Sequence, residues 1–190
     1  ASKKEKKKKE PKPAAAPVQA VPGDANPFTK ICIRVGKITK VWHHPDSEKL
    51  FCEEIDIGED KPRSVASGLR PYYKLEDLQD RMIIMVCNLK EAKLGGFPSC
   101  GMVLCSKNGD TCEFVDPPKS GKVGDRLMLD GVTGDFETNP NKVKKKKMWE
   151  AVAAQLKTNG DRVACFDGKP LKTPSGDVCT CPTVSNTPIS

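Results

Sequence analysis

The sequence predicts an all-β protein: a five-stranded barrel with one short helix, followed by a mixed extension of one helix and short strands. Three observations carry that expectation. Short apolar runs recur between Ile31 and Val115, separated by Gly, Pro, Asn and Asp. A helical spacing falls once among them, between the third run and the fourth. After Asp130 the pattern changes to a lysine-rich helical segment and then to small pieces broken by Gly and Pro.

Residues 1–27 start with lysines and pass into Ala, Pro and Val without a period. Such a segment cannot bury enough apolar surface to offset its ordering entropy, so it reads as a linker. The chain does not begin with Met, which fits a fragment of a longer protein. Residues 31–42 read as a long first strand. Ile31, Ile33 and Val35 share one phase and Ile38 takes the other, so a bulge that bends the strand is expected at Gly36. His43, His44, Pro45 and Asp46 form a turn. The second strand is expected at 50–57, with Phe51, Ile55 and Ile57 in phase, and the third at 63–67. Residues 71–78 read as a short helix opened by Pro71. The fourth strand, 82–87, is the unbroken run MIIMVC, the pattern of a buried strand. The fifth is expected at 102–105, with further candidates at 112–115 and 126–129 and a hairpin turn at Asn108-Gly109-Asp110.

Five strands with a helix between the third and fourth is the element order of the oligonucleotide/oligosaccharide-binding (OB) barrel, placed here at residues 28–129. The extension covers 130–190. In it Trp149, Val152, Ala153 and Leu156 recur at helical spacing, and Gly160 suits the stop of one helix. Lys142 and the lysines 144–147 would stand at the start of that helix, against the positive end of its dipole. That costs about 0.3–1 kcal/mol per charge but favours a nearby anion. Residues 163–181 are too few for a core of their own and are expected to dock on the barrel.

Composition narrows the function classes. The longest apolar run is six residues, far short of the roughly 20 that a membrane-spanning helix needs. The N-terminus has charge without an apolar stretch, so no secretory signal is expected. The nine cysteines are irregularly spaced, form no CxxC, and lie far from any metal-ligand pattern, the two histidines being adjacent at 43 and 44. Reduced thiols in a cytoplasmic protein are the favoured reading, with Cys179 and Cys181 the pair to watch and no cofactor or metal expected. His43, His44 and Asp46 could be read as acid/base groups, but in HHPD they are more simply turn formers. No nucleophile elbow or P-loop is present, so this chain is not expected to be an enzyme.

The net charge of +7 is unevenly placed. Residues 1–30 hold eight lysines against three acids. Residues 31–190 hold 24 basic and 22 acidic side chains, and five of the basic ones are Lys142, Lys144, Lys145, Lys146 and Lys147. Clustering of this kind points to a polyanion partner. The second basic stretch is 88–102, NLKEAKLGGFPSCGM, between two apolar runs. It combines Lys90 and Lys93 with a glycine pair, the small polar groups Asn88 and Ser99, and the apolar Met102. That mixture suits an anionic polymer with exposed bases, or, as plainly, a solvated loop.

The segments RVGKI (34–38), HPDSEKL (44–50), SGL (67–69), NLKEAKLGG with SCGM (88–102), GDR (124–126) and NPNKVKKKKMWE (139–150) occur in one order. Together they resemble the tRNA-binding domain of the endothelial monocyte-activating polypeptide II type. That domain occurs in the auxiliary protein of the animal multi-synthetase complex and at the C-terminus of some tyrosyl- and methionyl-tRNA synthetases. The resemblance implies an OB barrel plus an extension that covers the face by which bacterial relatives dimerise, hence a monomer with a pseudo-dimer-like interface. It implies a non-catalytic, sequence-tolerant tRNA-binding module serving a synthetase in cis or in trans. Carried onto matching positions, it implies that Arg34, Asn88, Lys90, Lys93, Ser99 and Met102 line the RNA face, with Lys144, Lys145, Lys146 and Lys147 adding phosphate contacts. Members of the family are also released as signalling polypeptides, and residues 34–39 correspond to the segment implicated. Two positions depart from the pattern. Gly95 stands where a basic residue is frequent, and Cys32 where an acid is frequent.

Overall fold

The computed structural model describes residues 26–190. The linker expectation for 1–27 therefore lies almost wholly outside the described residues. A 3-10 turn, Pro27–Lys30, capped by the Asn26 side chain, leads into β1 (Ile33–His43). Then follow β2 (Phe51–Asp56), β3 (Arg63–Ser67), α1 (Leu75–Leu78), β4 (Met82–Val86), β5 (Ala92–Leu94), β6 (Phe97–Ser99), β7 (Met102–Val103), β8 (Cys105–Asn108) and β9 (Thr111–Phe114). The extension carries α2 (Pro140–Lys145), α3 (Met148–Ala153), β10 (Leu156–Thr158), β11 (Ala164–Phe166) and β12 (Lys169–Pro170).

The main sheet is antiparallel, in the order β3-β2-β1-β4-β7. The chain that leads from β6 into β7 closes on the other edge, β3: the Cys100 amide donates to the Ser64 carbonyl at 2.8 Å, and the Ala66 amide to Ser99 Oγ at 3.0 Å. The sheet thus curls into the expected near-barrel. The bend in β1 comes three residues later than expected. Ile38 faces Ile55 and Lys40 faces Glu54, so Thr39 is the extra residue. Gly36 stays in register with β4, opposite Ile83. Its glycine has a different cause: a Cβ there would stand 2.9 Å from the Ile55 methyl.

The two faces of β1 and β4 belong to two cores. Cys32, Ile38, Ile83, Met85 and Cys87 point into the barrel with Phe51, Ile55, Val65 and Phe114. Ile33, Val35, Ile84 and Val86 point outward into a second cluster with Leu127, Val152, Leu156, Phe166 and Ile189 of the later chain. Burial on both faces explains why β4 is apolar without alternation. The extension does dock on the barrel. At its end, Cys105 and Ser190 exchange amide–carbonyl bonds of 3.0 and 2.9 Å.

Two other expectations are corrected. The fifth strand breaks at Leu104: β7 stays in the main sheet, whereas β8 pairs with β9 across the Gly109 turn. The single lysine-rich helix is two short ones. Asn139 caps α2, its side chain accepting from the Asn141 amide at 3.0 Å, and Pro140 takes the first turn. Lys147, at φ 50° and ψ 40°, ends the helical path before α3. Leu156–Thr158 is drawn into a strand by pairing with Ala164–Phe166. Lys142, Lys144 and Lys145 therefore lie in the last turn of α2, where the dipole favours cations. The expected unfavourable placement at a helix start does not hold for them.

Candidate nucleic-acid interface

Residues 88–102 are ordered by their own base. Asn88 is buried, and its amide serves three backbone groups. Its Oδ1 accepts from the Cys32 amide at 3.0 Å, and its Nδ2 donates to the Lys30 and Glu137 carbonyls at 2.8 and 3.0 Å. Arg63 adds a second staple, donating to the carbonyls of Cys87 and Cys100, one at each foot of the loop. Its other side pairs with Glu59 at 2.6 Å, and that hydrogen bond holds the Glu59 carboxyl below its usual range. Ser99 is also buried, accepting from Ala66 and donating to the Gly101 carbonyl at 3.1 Å.

Between these anchors the chain forms a hairpin rather than an irregular loop. β5 pairs with β6 in the register Leu94 to Phe97. Gly95 and Gly96 make its two-residue turn with φ of +58° and +84°, a conformation that glycine adopts without strain. The tip sits on His44. A Cβ at Gly95 would lie 2.9 Å from the imidazole, so a basic side chain has no room in this arrangement. His44 is itself buried, and its Nδ1 accepts from the Asp46 amide at 3.0 Å, as a turn former does.

The predicted site residues thus divide. Lys90 and Lys93 are exposed on the hairpin, and Lys144, Lys145, Lys146 and Lys147 are exposed on α2 and the link to α3. No ion pair holds any of these six among the described residues. Lys142, by contrast, pairs with Glu137 at 2.5 Å, and that contact keeps the Glu137 carboxyl below its usual range. Met102 is half-buried beside Val86. Asn88 and Ser99 face inward, where they hold backbone and offer no free edge. Arg34 is half-buried at the barrel mouth, 5.8 Å from the centre of the Phe136 ring. Its Nε is buried without a hydrogen-bond partner. Residues 34–39 lie within β1, paired to β4 and then to β2.

The structure brings the two basic groups together. Glu137 receives Asn88 on its carbonyl and Lys142 on its carboxylate, so the segment before α2 is tied to the foot of the hairpin. Leu89, Lys90 and Ala92 on one side face Val143, Lys144 and Trp149 on the other across a cavity of about 220 Å3. Sequence reasoning missed Arg63, Glu137 and Trp149 here. Arg63 and Glu137 carry no motif, and Trp149 was absorbed into a helical apolar face. Among the described residues no helix is long and apolar enough to cross a membrane.

Comparison with known proteins adds to this geometry. A family profile described as "Putative tRNA binding domain" matches residues 33–126. Aminoacyl tRNA synthase complex-interacting multifunctional protein 1 of Mus musculus is 39% identical over 178 residues, covering 93% of this chain and 55% of its own length. A probable methionine–tRNA ligase of Oryza sativa subsp. japonica is 42% identical over 159 residues, covering 83% of this chain and 20% of the ligase. The chain therefore spans about half of the first relative and a fifth of the second. The crystal structure of the C-terminal domain of Plasmodium vivax p43 matches with a TM-score of 0.79 at 32% identity, covering 86% of this chain and 98% of that one.

Proposed function

Because the chain belongs to the tRNA-binding domain family of the endothelial monocyte-activating polypeptide II type, we propose that it is a non-catalytic module that holds tRNA for an aminoacyl-tRNA synthetase in the cytoplasm. The synthetase is either appended to it or bound separately. The single observation that carries this reading is the meeting of Lys90 from the hairpin foot and Lys144 from α2 across one cavity, with Lys93 and the lysines 145–147 exposed nearby in the chain and none of the six in an ion pair among the described residues. Lysines are compact charges suited to phosphates and carry little sequence information. Binding of this kind is weak and tolerant of sequence. Its use is to raise the local concentration of tRNA at a second site, which keeps the choice of amino acid. Aromatic residues are 5% of the chain, so extended stacking along a single strand fits less well than contact with a folded backbone.

Arg34 at the barrel mouth and Met102 at the hairpin's foot complete the proposed RNA face, while Asn88 and Ser99 serve it by fixing the hairpin. The barrel (28–129) and extension (130–190) form one unit in this reading. Because the extension covers the outer apolar face of β1 and β4, the module works as a monomer, and light scattering at twice the chain mass would contradict that.

The test is fluorescence anisotropy with bulk tRNA over a salt series. The full chain and a version without residues 1–25 would be compared, with single-stranded DNA of equal charge as competitor. Neutralising one phosphate with each of six lysines gives a log–log slope of about −4 to −5. Retained binding by the shortened chain with poor competition by DNA supports the reading. Loss of all binding on removal of 1–25 would move the site to the N-terminal lysines and sink it.

A further inference from the structure

We infer that the cavity between the hairpin foot and α3 receives one unstacked nucleobase of the bound RNA, stacked on Trp149 and preferring bases that carry an exocyclic amino group. The inference rests on the tRNA-binding reading and deepens it. A cavity of about 220 Å3 is smaller than the roughly 300–1,000 Å3 of pockets for larger organic ligands, and it suits a single flat ring system. Its apolar walls are Leu89, Ala92, Val143 and Trp149. Val143 is buried, and Leu89 and Trp149 lean on the outer core, so these walls are fixed by packing rather than left to solvent. Trp149 is the one aromatic ring in the cavity and remains partly exposed.

The charges around it select the occupant. Lys90 stands on the hairpin wall and Lys144 on the helix wall, one to each side, as a nucleotide with a phosphate before and after it requires. Lys93 and the lysines 145–147 extend the same positive field along the chain on both sides. A cationic side chain of a protein partner would meet that field unfavourably. Two carboxylates complete the lining, Glu91 and Glu150, and neither is in an ion pair among the described residues. Glu91 is oriented by the Cys100 thiol, which donates to it at 3.5 Å. A carboxylate accepts from the amino group of cytosine, adenine or guanine. Uracil has no amino group and offers only its N3–H, flanked on both sides by carbonyl oxygens that a carboxylate would face as further acceptors, so it is the less favoured occupant. A folded tRNA offers such a base only where its stack is open, so this subsite adds one anchored contact to a binding mode otherwise set by phosphates.

The experiment uses the full chain carrying Trp42→Phe, which leaves Trp149 as the sole tryptophan. tRNA is titrated while Trp149 emission is read, and short oligocytidine and oligouridine are then used as competitors. Stacking predicts quenching of Trp149 on tRNA binding and stronger competition by oligocytidine than by oligouridine. Trp149→Leu is expected to weaken tRNA binding about five- to a hundredfold with the salt slope unchanged, because stacking releases no counterions. Trp149→Phe should retain most of the affinity. If Trp149→Leu fails to fold, the emission titration still decides. tRNA binding with unaltered Trp149 emission, or equal competition by the two oligonucleotides, would overturn the inference and leave the tRNA module standing. Absence of any tRNA binding would overturn both.

Discussion

Two sets of polar side chains in this molecule have opposite fates. Glu53, Asn88 and Ser99 are buried and hold backbone or neighbours, whereas Lys90, Lys93 and the lysines 144–147 are exposed and have no ion pair among the described residues. In the first set, Asn88 and Ser99 fix the hairpin that carries Lys90 and Lys93, and Glu53 lies inside the barrel bonded to Ser67. A residue's presence in a basic, RNA-like motif therefore does not say whether it touches the ligand. Asn88 has three backbone partners, whereas Lys90 has no ion pair among the described residues.

Substitutions in the first set should act on stability, and the largest effect is expected at Glu53. It points into the barrel beside Phe51 and Ile55, its Oε1 accepts from Ser67 Oγ at 2.5 Å, and its Oε2 has no partner. Burial pushes its carboxyl up to about 7 from an ordinary 4.5. Between those pH values the native state holds a proton that the unfolded chain has lost, so stability falls as the pH rises through the window. Glu53→Gln removes that dependence. Its stability advantage over the wild type should grow by on the order of 3 kcal/mol from pH 5 to pH 8 in urea denaturation. A constant difference at both pH values would mean that Glu53 ionises normally.

Asn88→Ala comes next. It strips the partner from the Cys32 amide, which is buried, and should cost about 1–3 kcal/mol. tRNA affinity would change only through displacement of the hairpin foot, so the salt slope should stay the same. A large stability loss with a flattened slope would blur the distinction between the two sets. Gly95→Ala forces a side chain into a positive-φ turn and against His44, at a cost of about 1–3 kcal/mol that a thermal melt would detect.

Much of the fold was legible from the sequence because strand length and punctuation are local properties. The limits of β3 and the Asn108–Gly109 hairpin follow from residues that touch one another or nearly so, whereas the helix expected at 71–78 is confined to Leu75–Leu78, with Pro71 in the turn before it. What was not legible depended on distant partners. The bulge is at Thr39 because Ile38 and Val41 both fill the barrel, and no local signal separates that from a slip at Gly36. The run 156–158 has helical spacing, yet its partner eight residues on makes it a strand, since Leu156 faces Phe166 and Thr158 faces Ala164. The Asn139–Pro140 cap was readable and would have placed the lysines at a helix end rather than its start. At the site, Lys90, Lys93 and the lysines 144–147 stand out in the sequence by charge clustering and by the family resemblance. The meeting of Lys90 and Lys144 across one cavity needed Asn88 and Glu137, which join segments 49 residues apart.

The smallest effect on stability is expected from the lysines, and it carries the account's central claim. Replacing Lys90 and Lys93 by Ala, or the lysines 144–147 by Ala, should move stability by no more than about 0.5 kcal/mol, because none has an ion pair to lose among the described residues. The decisive measurement is the salt dependence of tRNA affinity for the wild type and these two variants. The account predicts a slope flattened by about 1–2 units for the first and about 3 for the second, with intact folding. Slopes indistinguishable from the wild type in both variants would show that tRNA is held elsewhere and would contradict the assignment of this face.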